Sequence, residues 1–142
     1  MAINTNHLSI CIRTLRSSLE HLNAAVPESI DYEIFRNAVI KGFELTLETA
    51  AKLLRKALKT YHGNPKAVDA LTYKEVLREA AKHSLIEGGA VERWFLYRDN
   101  RNNTAHDYGE EFAEETLSLM PEFLEDITAL ERVLQEKCGS SC

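Results

Sequence analysis

The sequence predicts an all-α fold, an up-and-down antiparallel bundle of four to five helices. Three observations predict it. Apolar residues recur at steps of three and four over long runs, the period of a helix with one buried face, and no run alternates convincingly as a strand would. Three prolines and six glycines in 142 residues leave room for few turns, so the elements must be long. With 44% hydrophobic residues the chain can bury a real core, and its length suits one domain over residues 1–142.

The first helix runs from about Asn6 to Val26 on the stripe Leu8, Ile12, Leu15, Leu19, Leu22, Val26, and Pro27 ends it. The second runs from about Ile30 to Tyr61, with Phe35, Val39, Phe43, Leu47, Ala50, Leu54, Ala57 and Tyr61 on one broad face. His62-Gly-Asn-Pro65 stops it, pairing a glycine suited to the left-handed region with a following proline. The third opens on the capping box Thr72-x-x-Glu75 and reaches the Gly88-Gly89 pair. The fourth carries Val91, Trp94 and Phe95 into the Arg98–Asn103 region. The fifth opens near a second capping-box pattern, Asp107-x-x-Glu110, on the stripe Phe112, Thr116, Leu119, Phe123, Ile127, Leu130, Leu134. Pro121 falls inside this stripe and should kink or divide the helix.

Composition excludes several classes. The start, MAINTNHLSICIRTLR, lacks a signal peptide's apolar run. No stretch approaches the roughly 20 apolar residues that span a bilayer. A cytoplasmic protein without a membrane partner is expected. Cys11, Cys138 and Cys142 fit neither a disulfide framework nor a zinc pattern. No His-Glu-x-x-His or Glu-x-x-His pair supports a metal bundle, so no metal and no cofactor is expected. There is no phosphate-binding Gly-x-x-x-x-Gly-Lys loop and no Gly-x-Ser-x-Gly elbow. Net charge is −5, but ten acids against one base lie between Asp107 and Glu136, and the rest of the chain is net positive. Lys52, Arg55, Lys56, Lys59 and Lys66 read either as a solvated helix face or as a phosphate-backbone track. Trp94 and Phe95 read as core ahead of a base-stacking platform.

The run Arg101-Asn-Asn-Thr-Ala-His-Asp-Tyr108 concentrates chemistry. Arginine grips phosphate oxygens in a planar fork, and histidine takes and returns a proton near neutral pH. Spacing alone is uninformative: Arg16–His21 and Arg78–His83 share the five-residue step, and Arg55–His62 is a wider version of it. Those pairs sit in periodic helices, where residues five apart diverge by about 140°, and read as surface or boundary residues. Around Arg101 the chain differs. Asn100, Asn102 and Asn103 favour caps and turns, so the helix can loosen there and let His106 swing toward Arg101. Arg98 adds a second guanidinium one turn earlier. The plainer alternative is a polar turn between helices with a capping histidine.

The sequence resembles the HEPN superfamily of nucleotide-binding helical bundles. More closely it is similar to the HepT branch, which includes the small nucleotidyltransferase substrate-binding proteins. That branch carries Arg-x4-His-x-Tyr, met here by Arg101, His106 and Tyr108. Asn102 fits the polar residue that often follows the arginine, and Lys41–Thr46 and Lys74–Ala80 extend the likeness over most of the chain. The resemblance implies a metal-independent RNase that leaves a 2′,3′-cyclic phosphate. His106 would be general acid or base, Arg101 would stabilise charge on the phosphoryl oxygens, Asn102 would orient substrate or histidine, and Arg98 would bind substrate. It further implies a homodimer with facing motifs, RNA such as transfer RNA or messenger RNA as substrate, and a toxin role. Control would come from a cognate minimal nucleotidyltransferase acting as antitoxin by adding AMP to Tyr108. The alternative is a non-catalytic subunit that holds substrate or docks a nucleotidyltransferase, which the net acidity favours.

Overall fold

The computed structural model describes residues 3–104 and 110–139, with the side chains of 102–104, 110, 111, 138 and 139 excepted. Among the described residues all regular structure is helical. The α-helices are α1 (Asn6–Ala24), α2 (Ile30–Lys59), α3 (Pro65–Asp69), α4 (Tyr73–Lys82), α5 (Val91–Thr104) and α6 (Glu110–Leu134). One 3-10 turn, Gly88–Ala90, precedes α5, and a π-helical turn, Gln135–Gly139, follows α6.

Cross-contacts fix the directions of the long helices. Cys11 Sγ lies 3.9 Å from Thr49 Oγ1, and His21 meets the Phe35 ring, so α1 and α2 run antiparallel. The Ser9 hydroxyl donates to Glu131 and Arg16 Nη2 donates to Thr128 Oγ1 at 3.1 Å, so α6 runs against α1. Arg93 pairs with Asp126 and Asn100 with Thr116, so α5 runs against α6. The result is the up-and-down bundle that the periodicity predicts, with α1, α2, α5 and α6 as its legs and α4 packed antiparallel beside α5. Its centre is aromatic: Phe43 and Phe123 meet edge to face at 4.8 Å, Tyr97 and Phe123 at 5.0 Å, and Trp94 and Tyr97 at 5.5 Å. Such edge-to-face pairs add to the gain from burial alone. Gly42 lets α1 and α2 approach, since a Cβ there would stand 3.3 Å from Leu15 Cδ1.

Several details depart from the sequence reading. Helix α1 ends at Ala24, which leaves Val26 71% exposed beyond the stripe. Gly63 does not take a positive φ; α2 ends through Thr60 in a right-handed conformation, whose hydroxyl donates to the Ala57 carbonyl at 2.7 Å. The five-residue α3, capped by Asn64 and opened by Pro65, is too short to show a period. Helix α4 ends at Lys82, five residues before the expected end near Glu87. The cause is Ser84, which adopts φ 60° and lets Leu85 N–H reach the Ala80 carbonyl at 2.8 Å and Ser84 N–H the Ala81 carbonyl at 3.1 Å. This is a Schellman closure made without glycine, and the buried Leu85 anchors it. Pro121 lies inside an unbroken α6. It sits on the exposed face, where water can satisfy the carbonyl that its ring leaves unpaired. The capping box at Thr72 is present: Glu75 N–H donates to Thr72 Oγ1 at 3.2 Å, and Thr72 N–H donates to Glu75 Oε1 at 2.9 Å. The second pattern, at Asp107, lies outside the described residues.

Candidate functional site

The site is built on the last two turns of α5. Helix α5 stays helical through Thr104, so the loosening expected at Asn100 to Asn103 does not occur within it. Asn100 explains part of this. Its side chain is 6% exposed, and Thr116 Oγ1, fully buried on α6, stands 2.8 Å from its Oδ1. A partner across the bundle replaces the local backbone bond that makes asparagine a poor helix residue.

That bond pins the turn from which Arg98 and Arg101 project. The Arg98 guanidinium lies over the Tyr73 ring, 4.8 Å from its centroid. Arg101 Nη2 stands 3.5 Å from Glu48 Oε1 of α2. Burial pushes the Tyr73 hydroxyl up to about 12, against the opposing pull of Arg98 and then Arg101. Arg98 at Tyr73 ties α5 to α4, and Arg101 at Glu48 ties it to α2. Asn102 takes its place in the same last turn of α5. His106 and Tyr108 lie outside the described residues.

The same side of the molecule carries more positive charge. Phe95 is half-buried, with Lys74 Nζ 5.2 Å and the Arg78 guanidinium 5.5 Å from its ring centroid. Phe95, Arg98 and Arg101 follow one another along α5 at steps of three, beside Tyr73, Lys74 and Arg78 of α4. Cations over aromatic faces hold their charge in place while leaving it accessible. Trp94 is core, as expected, and Phe95 packs partly buried against the same core with Lys74 and Arg78 near its ring. The other basic stretch is weakened as a phosphate track. Arg55 donates to the carbonyls of Val68 and Leu71, each at 3.0 Å, and so staples the α3 segment to α2. Lys59 pairs with Asp69 at 2.8 Å.

Opposite this face, Asp126 of α6 accepts two bonds from Arg93, both 2.9 Å, and one from Tyr97 at 2.6 Å. Burial, and then the Asp126 bond, push the Tyr97 hydroxyl far above its ordinary value. These groups brace α5 against α6.

The profile of the nucleotidyltransferase substrate-binding protein-like family matches residues 11–136. The chain belongs to this HepT-like family. It is 27% identical over 139 residues to a Haemophilus influenzae protein named "Probable ribonuclease HepT", covering 95% of this chain and 94% of that one. A solved Haemophilus influenzae structure superposes with a TM-score of 0.82 at 26% identity, covering 93% of this chain and 99% of that one. It was described as revealing the fold of a substrate-binding domain of a nucleotidyltransferase. The HepT-like assignment and the helical bundle therefore agree.

Sequence reasoning missed two members of the site, Glu48 and Tyr73. Tyr73 had a signal, since it directly follows the N-cap Thr72 of α4. Glu48 had none, because its role depends on α2 and α5 meeting. Among the described residues, no helix is long and apolar enough to cross a membrane. The groups close enough to share a metal, His62, Glu79 and His83, lie elsewhere, at the far end of α2.

Proposed function

We propose that this protein is the toxin of a toxin–antitoxin pair, a metal-independent endoribonuclease acting in the cytoplasm as a homodimer. The observation that supports the reading is the pair of guanidiniums on the last turns of α5, Arg98 over the Tyr73 ring and Arg101 beside Glu48, shortly before His106 in the sequence. In the reaction the RNA 2′-oxygen attacks the adjacent phosphorus and the bond to the 5′-oxygen breaks. His106 takes the 2′-hydroxyl proton and a second imidazole returns one to the leaving oxygen, a contribution of about 10²–10⁴-fold. Arg101 stabilises the charge on the phosphoryl oxygens, Asn102 orients the reacting groups, and Arg98 with Lys74 and Arg78 holds the backbone. Glu48 neutralises Arg101 until phosphate displaces it. The second imidazole comes from the partner copy, because a two-fold interface sets like patches face to face. A cognate nucleotidyltransferase silences the site by transferring AMP from ATP to the Tyr108 oxygen, which loses its proton as pyrophosphate leaves, and the added phosphodiester competes for Arg98 and Arg101.

A second reading is a non-catalytic subunit that holds substrate for a nucleotidyltransferase. The family description and the Arg101–Glu48 pair favour it, since that pair also serves as a plain tie between helices. Incubation of the purified chain with total RNA in EDTA separates the two. Cutting that is lost in both Arg101→Ala and His106→Ala supports the enzyme. Intact RNA with the parent protein leaves the binding subunit.

A further inference from the structure

Helices α2 and α4 meet again at their C-terminal ends, well away from Arg101. Along α2 alone, roughly 16 Å of helix separates Glu48 from Lys59. Here His62, Glu79 and His83 offer one ligand atom each, all within 4.8 Å of one another. Glu79 and His83 are four apart at the end of α4, so they share a face. His62 enters from the turn after α2. We propose that these three side chains form a binding site for a divalent transition metal of the zinc class.

Four features support this. His62 Nε2 is buried without a hydrogen-bond partner, yet it stands 3.9 Å from Glu79 Oε2, a gap that an ion can bridge. The His83 ring stacks on Tyr61 at 4.4 Å and 10°, which limits its rotation. The Schellman closure at Ser84 fixes the backbone of His83 from the other side. Finally, two imidazoles and one carboxylate are donors that favour zinc, cobalt or nickel over magnesium or calcium. Ligand atoms around a four-coordinate zinc lie about 3.4 Å apart, given bonds of roughly 2.0–2.1 Å. The Glu79 side chain, 24% exposed, can close most of the difference by rotation. Three protein ligands leave a position for water or for a donor from another molecule. An ion there would clamp the turn after α2 to the end of α4.

Sequence spacing hid the site. The ligand pair at the end of α4 is Glu-x-x-x-His, one residue longer than the helical motif of metal bundles, and the third ligand comes from the turn after α2. Lys82 competes for the site, with Nζ 3.2 Å from Glu79 Oε1.

Calorimetric titration of the full chain with Zn²⁺, and visible absorption on titration with Co²⁺, test the proposal. One equivalent should bind, with cobalt bands of a low-coordinate site, and magnesium should not compete. His62→Ala and His83→Ala should each weaken binding by at least about tenfold, the loss known for lesser changes around metal sites. Cys11→Ser should change nothing, which separates this site from the Cys11–His7 contact at 3.7 Å. Lys82→Ala alters only an exposed side chain and should tighten binding several-fold by freeing Glu79. Binding to the parent no tighter than to the His62→Ala/His83→Ala double variant overturns the proposal. So does loss of binding in Cys11→Ser, or unchanged affinity in Lys82→Ala.

Discussion

Replacing Thr116 by valine should destabilise the bundle by more than its single lost hydroxyl suggests. Valine keeps the shape and the buried methyl contact but removes the group 2.8 Å from Asn100 Oδ1. Thr116 is fully buried and Asn100 is 6% exposed, so water does not easily replace the bond. The cost is then the desolvation of an orphaned amide, about 1–3 kcal/mol, rather than the ~1 kcal/mol of an average exchanged hydrogen bond. The Phe112 carbonyl, 2.9 Å from the same hydroxyl, loses little, because it can keep its own helix bond. For a chain of this size, 2 kcal/mol corresponds to a fall in Tm of about 4–8 °C. Urea unfolding followed by circular dichroism measures it directly. Pairing Thr116→Val with Asn100→Leu should recover much of the loss, since both polar partners are then gone. If Thr116→Val alone unfolds at the parent's urea midpoint, the bond does not pin α5 as argued. Because the same turn carries Arg101, RNA cleavage should fall in the single variant even where it remains folded.

Further outcomes follow from other contacts. Ser84→Gly should stabilise the chain by about 1 kcal/mol, because glycine takes the left-handed conformation without the Cβ penalty that serine bears; a lower urea midpoint would contradict the Schellman assignment. The Tyr73 hydroxyl is raised to about 12 by burial. Its contribution is therefore whole below pH 10, where the unfolded chain begins to ionise, and is lost between about 10 and 12. Tyr73→Phe should flatten the alkaline unfolding curve in that window. Arg101→Lys should cut RNA poorly, since lysine lacks the two-pronged fork, and gel assays of cleavage in EDTA should show it. Co-expression with the cognate nucleotidyltransferase should add one AMP to the intact mass of the parent and none to Tyr108→Phe.

The long helices were legible because their stripes are regular. Val39, Phe43, Leu47, Ala50, Leu54 and Ala57 could be placed inside from spacing alone, and all are buried. What escaped depended on partners from elsewhere in the chain. Asn100 looked like a helix breaker because its propensity is local, whereas Thr116 lies on another helix. Ser84 ended α4 early because a buried Leu85 outweighed the left-handed strain, and nothing in a serine announces that. At the site, Arg98 and Arg101 were visible as charges. The ring under Arg98 was not, because α4 and α5 are brought alongside only by the turn between them. Glu48 and the His62–Glu79–His83 group share this character: each depends on where α2, or the turn after it, meets another helix, and periodicity does not encode that meeting point.

The cross-ties between α1 and α6 bear on how the chain is made. Ser9 finds Glu131 only 122 residues downstream. At a ribosomal pace of roughly 5–20 residues per second, that is about 6–25 s after Ser9 is polymerised. During this interval α1 and α2 can already close on each other through Leu15 and Gly42, but the groove around Phe43 has no Phe123 to fill it. The nascent hairpin is then a sticky intermediate whose open seam faces whatever is nearby, including a second nascent copy on the same message. Chaperone capture should therefore begin once α2 has left the exit tunnel and end when α6 emerges.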